Sequence, residues 1–76
     1  MDKKEIRAQL DKFIEDFIGA SEKYCLSRED VRNNQGIAFG AAMFCIELFP
    51  EDYENFSSYW DEKRERFQEI MRTKAQ

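Results

Sequence analysis

The apolar positions in the first third of the chain fall on one helical line. Ile6, Leu10, Phe13, Ile14, Phe17 and Ile18 recur three or four residues apart, and Tyr24 returns to that line further on. This spacing matches the 3.6-residue period and predicts an amphipathic helix over residues 3–24. Its other side carries Lys4, Glu5, Lys12, Glu15, Glu22 and Lys23. Gly19 falls on the polar side, where it weakens the helix by about 1 kcal/mol relative to alanine without disturbing a packed face.

Leu26 and Ser27 interrupt the pattern. Ser27 followed by Asp30 resembles a capping box, with acids placed early in the next turn. A second helix then runs over residues 28–49 and stops before Pro50. Asn33-Asn34-Gln35-Gly36 is a poor helical sequence, so residues 28–35 admit two readings. They form either the first turns of that helix or an irregular link before a main helix from about Gln35. Pro50-Glu51-Asp52 suits the first turn of a third helix over residues 51–73. Tyr53, Phe56, Tyr59, Trp60, Phe67, Ile70 and Met71 repeat along it, and Lys63 shares the stripe, where its aliphatic stem has room to lie. The prediction is an all-α fold: one domain over residues 1–76, built as a small three-helix bundle of antiparallel helices.

The central helix breaks the pattern of its neighbours. From Ile37 to Ile46 every residue is non-polar, and on a helical wheel the apolar residues nearly close the circle. One narrow sector is not hydrophobic, and it holds Asn33, Gly36, Gly40 and Glu47. A helix that is apolar all round is normally buried all round, and two partners from so short a chain barely suffice. The excess predicts a second copy of the chain, or another protein, against it. Ile37–Phe49 is too short for a membrane span, which needs about 20 apolar residues, and both flanks are charged. Gly36 and Gly40 share a face and allow a close backbone approach. Packing inside the chain, with Gly40 making room for a neighbour such as Trp60, competes there with a crossing between chains. Glu47 reads either as a charge left on the wet sector or as half of an inter-chain ion pair.

Composition narrows the chemistry. The 76 residues contain no histidine and two cysteines, which excludes Ser-His and Cys-His pairs and any ordinary structural zinc site. Cys45 lies inside the apolar run, where a thiol stays protonated; Cys25 sits near a helix end. Both read as free thiols in a reducing, cytoplasmic setting, since the N-terminus lacks the apolar core of a secretory signal. Acid pairs such as Glu15/Asp16, Glu29/Asp30 and Glu51/Asp52 are adjacent in sequence and diverge on a helix, so they do not converge on a metal or substrate. No phosphate-cradling loop or calcium loop occurs. The reading is therefore no enzyme, no cofactor and no metal.

Net charge is −4, from 12 basic and 16 acidic residues of interleaved sign, which argues against nucleic acid as a partner, as the short apolar run argues against a membrane. The expected function is a small interaction module, an adaptor, inhibitor or regulatory subunit, acting through helix packing as a homodimer. Gly36, Ile37, Gly40, Phe44, Glu47, Tyr53 and Tyr59 are the candidate interface residues, the tyrosines because aromatics with a polar edge suit contact sites. Two alternatives stand beside it. One is a nucleic-acid-binding regulator using Arg64, Arg66, Arg72 and Lys74; the other is a structural component of a larger assembly.

Overall fold

The computed structural model describes residues 2–74 and consists of three helices packed on one another, with no strand among the described residues. Helix α1 spans Lys3–Tyr24, α2 spans Arg28–Leu48 and α3 spans Tyr53–Arg72. Asp2 caps α1, its carboxylate accepting from the Glu5 backbone N–H at 2.9 Å. Ser27 caps α2 in the same way, accepting from the Asp30 N–H at 3.2 Å. At the far end of α2 the Phe49 N–H returns to the Cys45 carbonyl, and Pro50 prevents further α-helix.

The third helix starts later than its sequence suggests. Pro50–Asp52 form a 3-10 turn, and the α-helical pattern begins at Tyr53. The proline is thus at the first position of the tighter helix that leads into α3. The link alternative for residues 28–35 is also corrected, because α2 is helical from Arg28 onward. Tertiary hydrogen bonds supply what local propensity lacks. Asn34 donates to Ser21 Oγ at 3.0 Å and to Cys25 Sγ at 3.4 Å, tying α2 to α1. Gln35 accepts from Gln68 of α3 at 3.2 Å. Arg28 Nε donates to the carbonyls of Met71, in the last turn of α3, and of Lys74, just beyond it, each at 3.2 Å.

Lys3 pairs with Glu51 and Asp52, Asp11 meets Tyr59 and Lys63, and Glu22 receives Lys74. Partners in α1 and α3 therefore sit 48 to 52 residues apart all along the bundle, which means these two helices run parallel. Helix α2 runs antiparallel to both and lies against each. Leu10, Ile14 and Ile18 from α1, with Phe56, Trp60, Phe67, Ile70 and Met71 from α3, form most of the core. From α2 the core receives Val31, Ala38, Ala42 and Cys45. One expectation for α1 changes: Tyr24, at the last position of the helix, is exposed. Ser21, outside the apolar line, takes a fully buried place, donating to the Phe17 carbonyl at 2.8 Å.

Candidate functional site

Helix α2 turns its small residues inward and its large ones outward. Three of its four buried residues are alanine or cysteine, while Phe44 keeps 64% of its surface exposed, Ile37 50% and Leu48 48%. Phe39 and Met43 are exposed on the opposite flank of the same outer face. Close approach by α1 and α3 explains the small inner residues. It leaves the bulky outer ones facing solvent, against the usual direction of hydrophobic burial.

Between the two flanks run Gly36 and Gly40. A Cβ built at either meets nothing within 4 Å, so neither glycine packs against its own chain. The expected intrachain role for Gly40 is thereby corrected. Trp60 stacks instead on Phe39, with ring centroids 5.3 Å apart, and on Phe67 at 6.4 Å. The result is a shallow channel floored by bare backbone and edged by Ile37 and Phe44 on one side and Phe39 and Met43 on the other. Phe44 also edges a small recess of about 190 Å³ with Ile6, Leu10 and Phe13 of α1. On the α3 side, Phe39, Met43, Ile46, Tyr53, Phe56 and Trp60 border a groove of about 280 Å³.

Five of the seven sequence-based candidates, Gly36, Ile37, Gly40, Phe44 and Glu47, thus lie together on the exposed face of α2. Tyr53, 59% exposed, stands at the edge of the α2–α3 groove. Tyr59 lies elsewhere: it is half-buried and donates to Asp11 Oδ1 at 2.9 Å. Burial first, and then that hydrogen bond, push its phenol well above the ordinary value. Sequence reasoning passed over Phe13, Phe39, Met43 and Leu48 as surface residues. They were visible on the apolar wheel, but the wheel alone does not say which sectors the two neighbours cover.

Between α1 and α3 a cluster of charges is satisfied within the chain. Lys63 is buried along its stem on the α1 side of α3 and meets Glu15 and Asp11, the latter at 3.0 Å, while Arg66 also pairs with Glu15. The Lys63 hydrogen bond is the main cause that holds both carboxyls below their ordinary range. Burial alone would lower Lys63 itself, yet the bonds to Glu15 and Asp11 outweigh it and the ammonium sits above its ordinary value. Arg64 pairs with Asp61, Arg72 with Glu65, and Lys74 donates to the Glu22 carbonyl. All four cations at that end of α3 are therefore engaged. The cleft there, bordered by Glu22, Glu69, Arg66 and Lys74, carries both signs.

Cys25 and Cys45 are free thiols, and burial raises the pKa of Cys45. Among the described residues no three of His, Cys, Asp and Glu come together as a metal set, and no helix is long and apolar enough to cross a membrane. Fold and surface together define an all-α bundle whose central helix is only half covered. Comparison with known protein families, curated proteins and solved structures gave no match for this chain.

Proposed function

We propose that this chain is a protein-interaction module that works by helix packing, and that a second copy of itself is its partner. The observation carrying this reading is the outer face of α2, where Ile37, Phe44 and Leu48 line one side of the glycine channel and Phe39 and Met43 the other. Contiguous apolar surface on a small domain marks a contact site, and covering it removes that area from water at about 25 cal/mol per Å². Adaptor, inhibitor and regulatory subunit are the roles that fit a module of this kind. The nucleic-acid alternative draws less support, because Arg64, Arg66, Arg72 and Lys74 already serve partners within the chain.

Sedimentation equilibrium at micromolar concentration tests the reading. The unmodified protein is expected to be a dimer whose thermal midpoint rises with concentration, since association stabilises only the folded form. Phe44→Glu, which places a charge at an exposed position, is expected to give a folded monomer. An unmodified protein that stays monomeric at every concentration overturns self-association and redirects the surface to a different protein.

A further inference from the structure

We infer that two copies pair antiparallel through α2 about a two-fold axis at Gly40, seating Phe44 of each copy in the Gly36–Gly40 notch of the other and setting Glu47 against Arg32. This pairing rests on the self-association proposed above and specifies its geometry.

A closed dimer of identical chains must use one self-complementary patch. A two-fold axis crossing α2 at Gly40 sets each residue against those equally far on the other side. Phe44, four residues beyond the axis, then faces the stretch four residues before it. The hole there is bounded by Asn33, Gly36, Ile37 and Gly40, the i, i+3, i+4, i+7 arrangement that receives a knob in packed helices. Two of its corners lack a side chain, and nothing in the chain fills the space a Cβ would take. The knob itself is the most exposed aromatic ring on α2. Ile37 forms the apolar wall against which that ring lies.

Charge selects the antiparallel arrangement over the parallel one. Glu47 stands seven residues beyond the axis, about 10 Å along the helix, and Arg32 eight residues before it, about 12 Å. Both are exposed, and neither enters any ion pair among the described residues. On the wheel both fall on the Met43 side of the seam, so the antiparallel dimer brings each Glu47 to the Arg32 of the other copy. A parallel pairing would put Glu47 beside Glu47 and Arg32 beside Arg32, where like charges repel. Sliding the antiparallel pair by one turn would empty the notch and part the charges.

Sedimentation equilibrium at low salt on charge-swapped variants provides the test. Glu47→Arg and Arg32→Glu are each expected to raise the dimer Kd about 10-fold, and the combined swap to bring it back to within about 3-fold of the unmodified value. Gly36→Leu fills the notch and is expected to weaken the dimer at least about 10-fold while helical circular dichroism is kept, whereas Gly19→Leu, on α1, leaves association unchanged. A dimer whose Kd ignores the single swaps and Gly36→Leu overturns this geometry and leaves self-association standing. The geometry is overturned in the same way if both single swaps weaken the dimer and the double swap fails to restore it. A monomeric unmodified protein overturns the self-association reading itself.

Discussion

Glycine inside a helix costs about 1 kcal/mol relative to alanine, and Gly19, Gly36 and Gly40 all sit in helices where their own chain leaves open space. For Gly19, half-buried in α1 and outside the apolar face of α2, nothing in the structure offsets the cost. Gly19→Ala is expected to raise the unfolding free energy by about 0.5–1 kcal/mol, read from the urea midpoint, with sedimentation unchanged. At Gly36 and Gly40 the same gain in helix propensity would come with a shallower channel, so stability and association should move in opposite directions. The four-residue spacing of these two was plain in the sequence. Its meaning was not, because a wheel gives the direction of a residue and not the neighbour that occupies it. Trp60 was a reasonable occupant for Gly40 on size alone, and it goes to Phe39 and Phe67 instead.

At the scale of elements, the three helices were readable because their signals are local. Apolar spacing, the Ser27 cap and the Pro50 stop all act within a turn or two. The first turns of α2 were ambiguous for the opposite reason. Asn33, Asn34 and Gly36 are weak helix formers, and the partners that hold Arg28, Asn34 and Gln35 lie 9 to 46 residues away, in α1, in Cys25 beyond its end, and in α3 and Lys74 just past it. Such partners leave no mark on local sequence. Arg28 has a double effect, since it accompanies the start of α2 and satisfies two carbonyls at the end of α3. Arg28→Ala is expected to cost about 1 kcal/mol and to speed amide exchange in the last turn of α3 more than anywhere in α1.

Across the whole molecule the ion cluster between α1 and α3 governs the response to pH. Asp11 and Glu15 titrate below their ordinary values, near 3.8 and 4.5, so their contribution is complete above those values and is lost as pH falls through the lower folded-state values. Lys63 has the opposite sign: its contribution is complete below about 10.5 and fades in stronger alkali as pH rises through the raised value. Stability is therefore expected to drop on acidification below about pH 4.5. Lys63→Met keeps the buried stem and removes the charge. It should shrink the difference between urea midpoints at pH 7 and pH 3, by about 1 kcal/mol or less in free energy, because both carboxylates are partly exposed. An unchanged difference would show that Arg66 at Glu15 and the Tyr59 hydrogen bond at Asp11 hold the carboxyls down without Lys63. The sequence placed Lys63 on the apolar stripe of α3; that two α1 acids wait there followed only from the parallel alignment of α1 with α3.

That parallel alignment also orders events in time. The α1–α2 and α2–α3 contacts near the turns close loops of only a few residues, whereas each α1–α3 pair must close a loop through the whole of α2. Loop closure grows costlier with length, so the two hairpin-like halves are expected to form early and docking of α3 on α1 to come last, an order that pulsed amide exchange during refolding checks. Nascent chain leaving the ribosome meets the same sequence of steps, and until α3 emerges the inner face of α2 is half bare as well as the outer. For that interval the small residues Ala38, Ala42 and Cys45 are a safeguard: the surface they show prematurely is far less adhesive than a row of leucines would be.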